Sequence, residues 1–145
     1  MTNWIIEADG GSRGNPGPAA WGTVVRDGSD GSIDVERAGY LGIATNNVAE
    51  YTGLISGLEA IAEKHGTDGT VQARLDSKLV VEQMSGRWKI KHPDIRELAM
   101  RARSAYPPEN VSYEWVPREH NKAADALVNE CLDSVAAGGT ESIDR

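Results

Sequence analysis

The chain has 145 residues, 39% of them hydrophobic and 26% charged, with a formal net charge of −7. That length favours one domain around one core, and the composition excludes a disordered chain. No apolar run approaches the ~18 residues of a membrane span, the first residues lack the basic start and apolar stretch of a secretory signal, and a lone Cys131 excludes an intramolecular disulfide, so a cytoplasmic location is expected.

Residues 3–8 (NWIIEA) predict a first strand, apolar enough to be central. Residues 9–18 (DGGSRGNPGP), with four glycines and two prolines, predict a loop. A second strand is expected over 19–27 and a third over 32–42, joined by a hairpin turn at Gly28-Ser29-Asp30-Gly31. The pattern then turns helical over 46–65, where Leu54, Leu58 and Ile61 recur at helical spacing; Asn46 and Asn47 supply an N-cap and Gly66 a stop. A fourth strand follows at 70–75, a short helix at 77–86, and a helix at 93–105 opened by Pro93. Pro107-Pro108 breaks the chain, residues 111–116 (VSYEWV) form a fifth strand, and a last helix runs over 121–136. Residues 1–137 are thus expected to form the domain, and 138–145 a flexible tail or the start of a linker to a further domain. The order βββ-α-β-α-α-β-α implies an α/β fold: a five-stranded mixed sheet, three strands antiparallel and then two parallel, with helices packed on it.

Net acidity argues against phosphate binding, but the charge is uneven. Residues 74–103 hold eight Lys or Arg against four acids, so this segment is +4 and the remainder −11. A local basic face can meet a phosphate backbone; a solvated helical face accounts for the same charges equally well.

Four acids stand out. Asp9 closes the first strand and Asp76 the fourth. If these strands are parallel neighbours joined through the 46–65 helix, both carboxylates fall at adjacent strand ends, where open α/β sheets bind ligands. Glu50 lies on the same helical stripe as Leu54, Leu58 and Ile61, and Asp125 is aligned with Val128 and Leu132. A carboxylate on a core-facing stripe is costly unless it is paired or bound to a cation; the helix N-terminus offsets only about 0.3–1 kcal/mol. One such acid alone reads as a cap or a surface group. Four that converge repel one another, and a divalent metal is the expected partner.

Asp9-Gly10-Gly11-Ser12 with Gly14-Asn15-Pro16-Gly17, Thr45-Asn46-Asn47-Val48-Ala49-Glu50, Asp76-Ser77 and Asn121-Lys122-Ala123-Ala124-Asp125 resemble, in order and spacing, the type I ribonuclease H family, in a short-loop variety. The likeness spans about residues 4–136. It implies the ribonuclease H-like fold with helices on both faces of the sheet. It also implies hydrolysis of the RNA strand of RNA–DNA hybrids to 3′-hydroxyl and 5′-phosphate ends, as in removal of R-loops and RNA primers. Two Mg²⁺ ions, replaceable by Mn²⁺, are implied, with Asp9 bridging both, Asp125 on the water-activating ion, and Glu50 and Asp76 completing the other site. The best-known bacterial members carry a histidine in a longer loop before the last acid. Here VPREHNKAAD is shorter, and Arg118 and His120 compete for that product-release role.

The resemblance also implies a substrate surface. Gly10 and Gly11 permit close approach of backbone to the minor groove, and Ser12, Asn15, Asn46 and Asn47 suit sugar and base edges. Thr45, with Lys91 and His92, matches a phosphate pocket for the DNA strand, and Ser77 adjoins Asp76. Lys78 and Arg13 are lesser candidates. Trp88, within Gly86-Arg87-Trp88-Lys89-Ile90-Lys91, is either a groove contact or core, with core the expectation. The basic handle typical of the family is shortened, which predicts weaker, salt-sensitive binding. A monomer with no obligate protein partner is expected. The short loop leaves activity on RNA–RNA duplexes open.

Dinucleotide binding is excluded by the glycine spacing and by the strand that follows the loop. A non-catalytic hybrid-binding domain is disfavoured by the presence of all four acids. A junction resolvase is disfavoured by the TNNxxE stretch and the Asn-Pro-Gly loop.

Overall fold

A computed structural model describes residues 2–145. The sheet carries β1 (Asn3–Ser12), β2 (Gly17–Asp27), β3 (Ile33–Ala44), β4 (Thr70–Leu75), β5 (Val111–Trp115) and β6 (Ser142–Asp144), in the order β5-β4-β1-β2-β3-β6. β1, β2 and β3 are antiparallel neighbours, and β4 and β5 extend the sheet in parallel from β1. The helices are α1 (Asn46–His65), α2 (Lys78–Met84), α3 (Pro93–Ala105) and α4 (Lys122–Ala136).

Two cores lie on opposite faces of the sheet. On one face Trp4, Ile6 and Ala8 of β1 meet Tyr51, Leu54, Leu58 and Ile61 of α1, with α2 and α3 residues such as Val80 and Ala99 alongside. On the other face Ala20, Val24 and Ala38 meet Leu127, Val128, Cys131 and Leu132 of α4. The alternation of β2, where Val24 serves one core and Val25 the other, divides the strand between them. Each large apolar side chain removed from water contributes about 1.5–3 kcal/mol. The hydroxyl buried between α1 and α2 is satisfied: Tyr51 Oη donates to Gln83 Oε1 at 2.8 Å, tying the two helices together.

Three expectations need correction. The 9–18 segment is a loop only over residues 13–16, because Gly10, Gly11 and Ser12 continue the ladder opposite Trp21, Ala20 and Ala19. Gly10 serves close packing there, not chain reversal. The cap of α1 is Thr45, whose Oγ1 accepts from Val48 N at 3.3 Å, while Asn46 and Asn47 are its first residues. The sheet has six strands, not five. Within the segment expected to be a flexible tail, Ser142–Asp144 pairs antiparallel with β3, and Ile143 packs on the α4 core. Three residues with one apolar side chain are too short for strand periodicity to register, yet they cover the open edge of β3.

Candidate active site

The site lies where the pairing of β1 with β4 stops; β1 itself runs on to Ser12, which corrects the expectation that Asp9 closes the first strand. Ala8 pairs with Leu75, which leaves Asp9 and Asp76 as the next residue on each strand. Helix α1 delivers Glu50 to the same point because two of its contact residues have no side chain. A Cβ on Gly53 would stand 2.8 Å from the Asp9 carbonyl oxygen, and one on Gly57 would stand 2.8 Å from Thr23 Oγ1. On the strand side, a Cβ on Gly10 would collide with the backbone between Ala49 and Glu50. The helix therefore rests directly on the strand end. α4 arrives on the opposite face by the same means: Gly22, paired with Asp9 across the ladder, would place a Cβ 2.6 Å from the Ala124 carbonyl oxygen. Asp125 is the residue after that contact.

Carboxylate oxygens of Asp9, Glu50 and Asp76 lie within 4.8 Å of one another. Asp125 stands outside that trio, but its charge raises the pKa of both Asp9 and Asp76. Asp9, 5% exposed, is pushed up to about 7, first by burial and then by the Asp76 charge. Burial followed by the Asp9 charge holds Glu50 well above the usual carboxylate range, and burial raises Asp76 as well. The donor set is all oxygen. Carboxylates whose charged forms are disfavoured by burial and by one another are relieved by a hard divalent cation, and this cluster fits such an ion.

A cleft of about 400 Å³ opens over the acids, lined by Asp9, Gly10, Gly11, Ser12, Asn46, Glu50, Asp76 and Arg118. Arg118 reaches it from the short 3-10 turn Arg118–His120, and its charge lowers the pKa of Asp76. His120 sits on the same turn, exposed, and is not part of the cleft lining. A larger groove lies between α1 and α3; its charged residues, Glu59, Arg96, Glu97 and Arg101, are of mixed sign and do not converge as the four acids do.

The rim of the cleft is built from the asparagines. Asn46 Oδ1 accepts from both the backbone N–H and the hydroxyl of Ser12, at 2.9 Å each, and the Asn46 N–H donates to Asn15 Oδ1 at 3.1 Å. Asn47 is exposed beside them in the first turn of α1. Thr45, Ser77 and His92 each cap a helix: α1, α2 and α3 respectively. Lys91 and Trp88 lie on the α2–α3 connection, away from the acids and exposed. Trp88 is 45% exposed, which corrects the expectation of a core residue. Near it, Arg87 is engaged by Glu82 through contacts of 2.7 and 3.0 Å, so the connection presents less free positive charge than its sequence suggests.

Two residues emerge only from the structure. Trp115 ends β5, and its indole N–H donates to the Asp76 carbonyl at 3.1 Å, with Lys78 Nζ 6.0 Å from the ring. Its sequence signal, an aromatic just before Val116-Pro117, reads only as strand. Asn121 is 1% exposed, and its Nδ2 donates to the Ala8 carbonyl at 2.8 Å. It stands at the N-cap of α4, yet it caps nothing with its side chain. Its Oδ1 is buried without a protein donor among the described residues, a state that costs about 1–3 kcal/mol unless water supplies the proton.

The fold thus gathers four acids on a mixed sheet: Asp9 within β1, Asp76 just after β4, and Glu50 and Asp125 near the starts of α1 and α4. Residues 7–131 match the family model described as reverse transcriptase-like. A bifunctional protein of Mycobacterium tuberculosis is 49% identical over 141 residues, covering 97% of this chain and 38% of that protein. The chain therefore spans about two fifths of the length of that relative. The structure of the N-terminal RNase H domain from the same organism, solved as a fusion with maltose-binding protein, superposes with a TM-score of 0.85 at 48% identity, covering 95% of this chain and 99% of that one. A ribonuclease H1 called LC11, solved in complex with an RNA/DNA hybrid, gives a TM-score of 0.84 at 40% identity, covering 92% and 99%. The chain belongs to the ribonuclease H family.

Proposed function

We propose that this chain is an endonuclease that hydrolyses the RNA strand of RNA–DNA hybrids with divalent metal, leaving 3′-hydroxyl and 5′-phosphate ends. The observation that carries the reading is the cluster of Asp9, Glu50 and Asp76, oxygens within 4.8 Å, beneath an open cleft and beside Asp125. The likeness to a ribonuclease H1 solved with a hybrid supports the substrate class.

Asp9, Glu50, Asp76 and Asp125 would hold two Mg²⁺ ions, or Mn²⁺ in their place, with Asp9 contributing to both. Bound there, the metal supplies an activated water and charge stabilisation at the leaving 3′-oxygen. The protein supplies position. β1 and β4 fix two carboxylates on the rigid centre of the sheet, and glycine contacts seat the two helices that bring the others. The Ser12–Asn46–Asn15 network would offer polar groups to the minor groove, where 2′-hydroxyls distinguish RNA from DNA. Arg118 places a cation at the cleft wall, suited to a phosphate of substrate or product. Thr45, Lys91, His92 and Trp88 would contact the DNA strand. R-loops and RNA primers are the natural hybrids for such an activity. We read the protein as a cytoplasmic monomer.

The test uses end-labelled RNA–DNA, RNA–RNA and DNA–DNA duplexes, incubated with Mg²⁺ and with chelator. Cleavage confined to RNA strands, dependent on metal and strongest on the hybrid, supports the reading. Cleavage of DNA–DNA, or cleavage in chelator, overturns it.

A further inference from the structure

We propose that Asn121 is a positioning residue for the metal-binding acids, a side chain that locks the start of α4 and the Arg118 turn onto β1 just before Asp9. The inference rests on the metal-dependent reading above. Three hydrogen bonds converge on this residue. Its side-chain Nδ2 donates to the carbonyl of Ala8, the residue before Asp9, at 2.8 Å. Its backbone N–H donates to the Arg118 carbonyl at 3.0 Å, closing the turn that carries Arg118. Its backbone carbonyl accepts from the Asp125 N–H at 3.1 Å, opening the helix that carries Asp125. One residue thus joins the elements bearing Asp9, Asp125 and Arg118.

The orientation of the side-chain amide is determined by its partners. The Ala8 carbonyl can only accept, so the NH₂ group must face it. Asn121 therefore holds the backbone immediately before Asp9. An N-cap asparagine in its ordinary role would turn its oxygen to the helix N–H groups; here the side chain makes no such bond, and the oxygen lies buried without a protein donor among the described residues. The first turn of α4 forgoes its own cap so that the side chain can reach the strand. Burial at 1% leaves no solvent to substitute for the link.

Without this amide, α4 still packs through Leu127, Val128 and Leu132, but its first turn loses its fixed distance to Asp9. Asn121→Ala is expected to bind Mn²⁺ at least tenfold more weakly in calorimetry of the otherwise metal-free protein. On the hybrid it should lower kcat at least tenfold with KM within threefold, since the rim residues that meet the substrate are untouched. Far-UV circular dichroism in EDTA should show the native fold. Mn²⁺ affinity within twofold of the unaltered protein overturns the proposal. If Asn121→Ala does not fold, Asn121→Ser, which keeps a shorter donor, carries the same test: a Mn²⁺ affinity reduced threefold or more supports the role, and an unchanged one removes it. The calorimetry does not depend on the substrate, so failure of the unaltered protein to cut hybrids would count against the function proposed above and leave the role of Asn121 to be decided by metal affinity.

Discussion

Gly10 of β1 lies directly against Ala49 of α1, so closely that a Cβ on Gly10 would occupy the space of the Ala49 carbonyl carbon. Gly22 of β2 stands in the same relation to Ala124 of α4 on the other face of the sheet. In each case the next residue of the helix is an acid, Glu50 or Asp125. The two helix-borne carboxylates are delivered by strand glycines that admit helix backbone.

Any side chain at either glycine should therefore displace a helix start. Gly10→Ala and Gly22→Ala are each expected to cost about 1–3 kcal/mol through overpacking and to weaken divalent-metal binding more than tenfold. Thermal melts in EDTA paired with Mn²⁺ titration check this. Retention of both stability and metal affinity in Gly10→Ala would contradict the packing account.

The metal-free cluster should make the protein less stable as pH rises. Asp9 has its folded pKa raised from 3.8 to about 7, and Glu50 and Asp76 are raised in the same direction. A group whose folded pKa is raised contributes stability fully present below its unfolded pKa and lost as pH climbs through the folded value. In EDTA the Tm is thus expected to fall between pH 4 and pH 7–8, and Mg²⁺ should restore it at pH 8 far more than at pH 5. Asp9→Asn, which removes one of the repelling charges, should raise the Tm at pH 8 in EDTA by a few degrees, about 2–4 °C per kcal/mol for a chain of this size. A Tm in EDTA that rises steadily to pH 8 would contradict the assignment of these shifts.

Arg118 and His120 share a turn, but only Arg118 lines the cleft. Arg118→Ala is expected to lower multiple-turnover cleavage about tenfold, an order of magnitude consistent with losing one charge-assisted contact of ~1.5 kcal/mol. His120→Ala should stay within twofold. Steady-state and single-turnover rates on one hybrid decide it, and the reverse ranking would contradict the geometry.

The last strand should support stability without touching catalysis. β6 is held by backbone bonds from Tyr40 N–H to Glu141 O at 2.8 Å and between Glu36 and Arg145 at 2.8 and 2.9 Å, reinforced by an Arg145–Glu130 ion pair. Truncation after Gly139 is expected to lower the Tm by several degrees through exposure of the β3 edge. Its kcat/KM on the hybrid should remain within twofold of the full chain.

Much of this arrangement is legible in the amino-acid sequence. The spacing of Leu54, Leu58 and Ile61 sets α1 at 46–65, and Pro93 opens α3, because periodic apolar residues and a proline at a first turn have few other readings. The parallel placement of β1 and β4 follows from the intervening helix, and with it the nearness of Asp9 and Asp76, each just after the last paired residues Ala8 and Leu75. What stays hidden is tertiary. Gly10 and Gly11 look like loop formers because no local signal tells a glycine that bends the chain from one that admits a helix. The tie made by Asn121 is hidden because its partner, Ala8, lies 113 residues earlier. Trp88 is exposed although a tryptophan among apolar and basic neighbours reads equally as core. β6 is too short for a period of two to show.

The most direct test of the central claim is cleavage of an RNA–DNA hybrid labelled on its RNA strand, comparing the unaltered protein with Asp76→Asn at saturating Mg²⁺. The account predicts metal-dependent RNA cuts bearing 3′-hydroxyl ends from the unaltered protein, and at least a thousandfold slower cleavage by Asp76→Asn with its circular dichroism unchanged. Cleavage by Asp76→Asn within tenfold of the unaltered rate would contradict it.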